Sequence, residues 1–213
     1  MIVFGLTGGI GMGKSTCAQL LRQLAVPVVD TDDLARRVVE PGQPAQVEIR
    51  AAFGQQMLGA DGQLRRDELA RLVFADAGAR RRLESILHPR ILELWRAQVE
   101  TWQAQNHPLA VVVIPLLFET GAEKELDRTI CVACSEATQR ERLLSRGWTA
   151  EQIEHRNRAQ LPIEEKLARA DYVIWTEAGL ELHAEQLKRI LAVSGGQPGA
   201  QKKARKNLPG LSS

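Results

Sequence analysis

Residues 2–16 read Ile2-Val-Phe-Gly-Leu-Thr-Gly8-Gly-Ile-Gly-Met-Gly13-Lys14-Ser15-Thr16, an apolar run that closes on the pattern G-x-x-x-x-G-K-[ST]. Four fixed positions match by chance in about one chain of this length in a hundred. The context is more selective than the pattern. A strand-like run precedes it, and Thr16 to Leu24 continues as an amphipathic helix with Leu20, Leu21 and Leu24 on one face. Strand, glycine-rich turn and helix N-terminus together make a cradle for phosphate. Glycines let consecutive backbone N–H groups turn inward on phosphate oxygens, and the helix end adds partial positive charge. Lys14 reaches the β- and γ-phosphates, and the Ser15 hydroxyl is placed to ligand Mg²⁺. The expected occupant is a purine triphosphate with Mg²⁺, held by Gly8, Gly11, Met12, Gly13, Lys14, Ser15 and Thr16.

Outward from this motif, four further runs have strand character: Val26 to Asp30, Leu109 to Pro115, Arg128 to Ala133 and Asp171 to Trp175. They are nearly continuous in Val, Ile and Leu, as strands covered on both faces are. Helical patterns fill the gaps, which predicts a three-layer α/β fold with a five-stranded parallel sheet and ligands at the carboxyl ends of its strands. One gap is abnormal. The 78 residues from Thr31 to Pro108 hold no strand, far more than a crossover needs. Leu69, Leu72 and Val73, then Leu83, Ile86 and Leu87, then Ile91, Leu92, Trp95, Val99 and Trp102 recur there at helical spacing. A helical insertion over 34–106 follows, with Met57 and the tryptophans as its core, between nucleotide-binding segments 1–33 and 107–193. A second helical stretch, 136–170, carries Arg140, Arg142, Arg146, Arg156, Arg158 and Arg169.

The 213 residues are 44% hydrophobic, 25% charged and 4% aromatic, enough for a well-buried domain and too apolar for disorder throughout. Net charge is +2, but Lys202, Lys203, Arg205 and Lys206 lie in an acid-free tail, 194–213, whose Gly, Pro, Gln and Lys content predicts disorder. Without it 24 basic residues face 26 acidic ones, and this near-neutral body argues against a nucleic-acid partner. No stretch of 18 uninterrupted apolar residues occurs and the first residues lack the basic region of a leader, so the expectation is a soluble cytoplasmic protein without membrane contact. Cys17, Cys131 and Cys134 are too few for a disulfide framework, and Cys131 and Cys134, three apart on a strand, point to opposite faces.

A GTPase switch would show N-K-x-D and D-x-x-G patterns, and neither occurs. A motor ATPase would end a strand in an acidic pair, whereas Val111 to Ile114 ends in Pro115. A small-molecule kinase remains. Val28-Val-Asp30-Thr-Asp32-Asp33, at the end of the second strand, stands on the same rim as the phosphate loop. A carboxylate there can take the proton of an acceptor hydroxyl, and a phosphate acceptor would need cations instead. Asp30 and Asp32 are the candidates for chemistry or metal, while Asp33 caps a helix starting near Leu34.

These features in this order resemble the dephospho-coenzyme A kinases. The resemblance runs from Ile2 to about Leu191 and rests on Leu6-Thr7-Gly8-Gly9-Ile10-Gly11, Val29-Asp30-Thr31-Asp32, Val39-Glu40-Pro41-Gly42, Leu87-His88-Pro89, Pro115-Leu116-Leu117-Phe118-Glu119, Arg142 with Arg146, and Arg156 with Gln160. It implies a P-loop kinase fold with a helical substrate-binding insertion and a helical lid over about 136–165, and ATP-dependent phosphorylation of the ribose 3′-hydroxyl of dephospho-CoA. It further implies Asp32 as the base, also holding Mg²⁺ with Ser15, directly or through water. Lys14, Arg142 and Arg146 would steady the transferring phosphoryl group. Acceptor contacts would come from Thr7, Asp30, Asp32, Arg36, His88, Pro115 and Leu116. Arg36 either meets the acceptor's pyrophosphate or is a solvated cation, and His88 either contacts substrate or marks a helix break before Pro89. The chain is expected to be a monomer or weak homo-oligomer.

Two positions depart from the family pattern. Trp175-Thr-Glu177-Ala-Gly179 replaces an asparagine-containing turn, so no adenine contact is assigned there, and Ala25 stands where a glycine often ends the first helix. A non-left-handed exit at Ala25 would cost little. Another nucleoside or nucleotide kinase, or a nucleotide-binding module without transfer, are the competing readings.

Overall fold

The computed structural model describes residues 1–194, so the tail expected to be disordered over 194–213 lies outside the described residues except for Ser194, the last residue of a helix. Five parallel strands, β1 (Ile2–Gly8), β2 (Val28–Asp30), β3 (Leu109–Val113), β4 (Arg128–Ala133) and β5 (Tyr172–Trp175), pair in the order β2-β3-β1-β4-β5. β1 is central. Its register, Leu6 opposite Val113 and Ile130, brings the carboxyl ends of β1, β3 and β4 to one rim.

Strand alternation explains the continuous apolar runs. Phe4, Leu6, Val111, Val113, Ile130 and Val132 face one layer, where they bury Cys17, Ala18 and Leu21 of α1 (Lys14–Gln23) and Leu187 and Ile190 of α9 (Leu180–Ser194). Val112, Ile114 and Cys131 face the other, against Leu34, Trp95, Leu117, Phe118 and Ala170. Each fully buried Leu or Ile contributes about 1.5–3 kcal/mol over exposure. Cys131 and Cys134 are buried in different clusters and unbridged, and no metal-binding group of His, Cys, Asp or Glu occurs among the described residues.

Between β2 and β3 the chain forms α2 (Thr31–Arg37), α3 (Pro44–Phe53), α4 (Arg66–Ala75) and α5 (Ala77–Ala104). Val38, Val39, Ala45, Ile49, Met57, Leu69 and Ile86 make a core of their own there. α5 is one continuous helix of 28 residues, roughly 42 Å long, with Pro89 inside it, so of the two readings of His88 the helix break before Pro89 does not form. Proline removes one helical hydrogen bond and crowds the preceding turn. Burial on both sides of it offsets this: Ile86 packs in the inter-strand core and Trp95 on the sheet, while Arg90 Nη1 donates to the Ile86 carbonyl at 2.6 Å. His88 is exposed on this helix.

Two local expectations also change. α2 begins at Thr31, not near Leu34, and Asp30 rather than Asp33 is its N-cap. Ala25 leaves α1 with φ 58°, the left-handed exit that L-residues adopt at a cost of about 1–2 kcal/mol. After β4 come α6 (Glu136–Leu144), α7 (Ala150–Arg158) and α8 (Ile163–Arg169). Among the described residues no helix is long and apolar enough to cross a membrane.

Candidate active site

The turn between β1 and α1 is built on backbone that side chains would block. Gly8 has φ 147°, and a Cβ there would lie 2.2 Å from the Val132 carbonyl oxygen of the paired strand. Gly13, left-handed at φ 101°, is the N-cap of α1 and offers no side-chain cap. The first N–H groups of α1 therefore remain free for an anion. Lys14 Nζ arches back over this turn and donates to the carbonyls of Gly8 and Gly9 at 2.8 and 2.9 Å. Burial lowers the Lys14 pKa to about 8, helped by the Lys166 charge and opposed by Asp32, Cys131 and Asp30. Ser15 is exposed at the mouth, Gly11 and Thr16 are half-buried, and Met12 is buried.

The β2 end supplies the acid. Asp30 Oδ1 accepts the Asp32 N–H at 2.9 Å, so its carboxylate is occupied in starting α2; burial raises its pKa. Asp32 is exposed, and no described residue donates a hydrogen bond to its carboxylate. Its field nonetheless reaches Lys14. Asp33 pairs with Arg36 at 3.1 Å, both exposed. Thr31 Oγ1 donates to the Val113 carbonyl at 3.0 Å and Thr7 Oγ1 to the Pro115 carbonyl at 3.1 Å. These two threonines fix the end of β3 between β2 and β1, which holds Asp32 and the phosphate turn on a common rim. Thr7 is thereby fully buried, whereas Pro115 is half-buried and Leu116 is exposed on that rim. The residues present fit a hydrated divalent cation: one free carboxylate and one free hydroxyl, both exposed, beside an uncapped helix end.

Five residues to which the sequence reading gave no role, Lys166, Glu119, Thr176, Glu177 and Gln139, complete the site. Lys166 of α8 has no exposure, pairs with Glu119 Oε1 at 2.7 Å and donates to the Pro115 carbonyl at 3.0 Å. Glu119 Oε1 also accepts the Leu161 N–H at 2.9 Å. The signal was present in sequence, because Lys166 shares a helix face with Ile163 and Ala170, an inward position for a charged residue. Thr176 Oγ1 donates to the Met12 carbonyl at 3.0 Å and accepts from Arg142 Nη1 at 2.9 Å. Glu177 accepts from Ser135 N, Thr138 Oγ1 and Trp175 Nε1, which hold its pKa down to about 2. The turn after β5 thus joins the phosphate loop to the start of α6. Gln139 adds a second link, donating to the Ile10 carbonyl at 2.7 Å.

Arg142 and Arg146 are separated in their surroundings. Arg142 is bound to Thr176 beside the phosphate turn, while Arg146, one helical turn on, lines an open cleft of about 800 Å³. Arg71 and Phe74 of α4 form its opposite wall, with Trp148, His155 and Arg156 beside Arg146.

Such a rim, with a phosphate cradle, a lysine, a free carboxylate and overlying arginines, can orient a triphosphate and deprotonate an alcohol. A family profile described as Dephospho-CoA kinase matches residues 2–181. The chain is 48% identical over 199 residues to a protein named Dephospho-CoA kinase from Anaeromyxobacter dehalogenans, covering 92% of this chain and 94% of that one. Among solved structures, a Thermus thermophilus protein matches with a TM-score of 0.78 and 39% identity over 90% of this chain and 97% of that one. A dephospho-CoA kinase from Campylobacter jejuni matches with a TM-score of 0.67 and 27% identity over 91% and 98%.

Proposed function

The chain belongs to the dephospho-CoA kinase family and transfers a phosphoryl group from ATP to dephospho-CoA in the final step of coenzyme A biosynthesis, and we propose that Asp32 takes the proton of the acceptor's ribose 3′-hydroxyl. The observation that supports this is the Asp32 carboxylate itself, exposed, undonated and electrostatically coupled to Lys14 across the rim. In this reading the N–H groups from Gly11 to Thr16 hold the β- and γ-phosphates, with Gly8 leaving room for the turn. Lys14 exchanges the Gly8 and Gly9 carbonyls for γ-phosphate oxygens, neutralising charge as it shifts to the leaving group. Ser15 and Asp32 would hold Mg²⁺, which when bound would screen the negative charge of the phosphates. Arg142 turns from Thr176 to the phosphates, and Arg146 follows it in closure of a lid over about 136–165, excluding water as a competing acceptor.

The segment 34–106 receives the acceptor, and 1–33 with 107–193 receives the nucleotide. Asp30 acts by presenting Asp32, and Thr7 by holding Pro115 beside Leu116 at the acceptor's edge. Arg36 and His88, both exposed, complete the acceptor contacts. We place the enzyme in the cytoplasm, as a monomer or weak homo-oligomer without nucleic-acid or membrane partners. Incubation of the purified chain with ATP, Mg²⁺ and dephospho-CoA, followed by mass and phosphorus NMR analysis, should give a product phosphorylated at the ribose 3′ position. Phosphorylation of nucleoside monophosphates without reaction of dephospho-CoA would sink the reading.

A further inference from the structure

The cleft between α4 and the α6–α7 turn is more than a gap. Phe74 leaves a large ring 47% exposed on α4, although Leu69, Leu72 and Val73 of the same helix pack inward. Its ring meets His155 edge-on, centroids 5.4 Å apart at 67°. The Arg156 guanidinium lies 4.8 Å from the centroid of Phe74 and 5.9 Å from that of Trp148. A flat cation thus lies within reach of two aromatic rings contributed by separate segments. Both distances fall within the roughly 6 Å at which a cation is attracted to an aromatic face. Arg71 and Arg146 add positive charge to the same rim, with Glu151 as the acid beside them.

Planar, anion-linked chemistry fits this lining: a purine in place of the guanidinium, and its pyrophosphate on the arginines. Two bases are available, those of donor and acceptor. The fold favours the acceptor. Arg66, at the start of α4, donates to the carbonyl of Arg36 at 3.1 Å, which ties this wall to the helix that carries Asp32. The donor's phosphates are fixed at the other end, where Arg142 and Thr176 adjoin Met12.

We infer that Phe74 and Trp148 clamp the adenine of dephospho-CoA, with Arg156 released from the two rings and Arg71 meeting the pyrophosphate. The inference rests on the acceptor proposed above. It makes the lid a determinant of acceptor recognition as well as a cover for ATP.

Steady-state kinetics of the full chain with each substrate varied tests it, on wild type, Phe74→Ala, Trp148→Ala and Phe74→Tyr. KM for dephospho-CoA should rise roughly tenfold or more in the two alanine variants, the scale of a lost base stack. KM for ATP should stay within about twofold, and Phe74→Tyr, which keeps the ring, should stay near wild type. A rise in KM for ATP alone, or no rise in either constant, overturns the clamp while leaving the reaction intact. A wild-type chain that fails to phosphorylate dephospho-CoA overturns the acceptor assignment and the clamp with it.

Discussion

Lys166 Nζ lies 2.7 Å from Glu119 Oε1 with no solvent at the lysine, and both groups hold backbone from elsewhere: Lys166 the Pro115 carbonyl, Glu119 the Leu161 N–H. The pair therefore joins the segment after β3 to the connection between α7 and α8. Its charges are desolvated, so removing one partner leaves the other buried and uncompensated. Lys166→Met should cost about 3–5 kcal/mol, a fall in melting temperature on the order of 10 °C for a chain of this size. The double variant Glu119→Gln, Lys166→Met should lose less than the two single losses together. Additive losses by scanning calorimetry would show that the two groups do not act as a pair.

Asp32→Asn keeps the shape of the side chain and removes its basicity. Turnover should fall by about two to four decades, with ATP affinity changed only a few-fold, because the phosphates are held by the turn and Lys14. Rapid-quench measurement of a single turnover isolates the chemical step. A variant that transfers at the wild-type rate removes Asp32 from the reaction.

Lys14, at about 8 when nucleotide is absent, is partly neutral in mildly alkaline solution. A bound triphosphate favours the ammonium, so nucleotide binding above pH 8 should take up a proton and weaken as pH rises. Titration calorimetry at pH 8.5 in buffers of different ionisation enthalpy reads this uptake directly, and identical heats in all buffers would contradict it. The stability effect has the opposite sense. The folded value lies below the unfolded one of 10.5, so the unfolded chain binds more protons between about pH 8 and 10.5. This group alone should therefore make the empty protein more stable as pH rises through that window.

Thr176→Val preserves volume but removes the hydroxyl that Met12 and Arg142 share. Leaving buried polar partners unmet should cost about 1–3 kcal/mol, and KM for ATP should rise because both the phosphate turn and Arg142 lose an anchor. Thr176→Ser should restore both. An unchanged KM for ATP in Thr176→Val would show that the hydroxyl anchors neither the turn nor Arg142.

Sequence legibility followed the range of the interactions. The strands lie within two residues of their expected bounds because burial on both faces writes itself as uninterrupted Val, Ile and Leu, and the phosphate turn is a local motif. The α2 start was missed because Asp30-Thr-Asp-Asp33 offers several cap residues, and only the extended backbone at the end of β2 selects Asp30. Pro89 misled because a local preference lost to tertiary packing on both sides of it. Lys14, Asp30 and Asp32 were legible as neighbours of one rim. Lys166 showed only as a charge on an inward helix face, with its partners hidden, and Thr176 and Glu177 were not legible, since contacts such as Thr176 to Met12 and Glu177 to Ser135 span 164 and 42 positions of the chain, and the separate surroundings of Arg142 and Arg146 depend on where α4 comes to rest.

β2 is an outer strand of the sheet, and the long excursion to β3 leaves and returns at that border without crossing the phosphate turn. Under the proposed division of the chain, whatever is grafted onto that border inherits a working donor half. New acceptors can thus be tried by replacing a peripheral module, with the inner strands, and the transfer chemistry they frame, left as they stand.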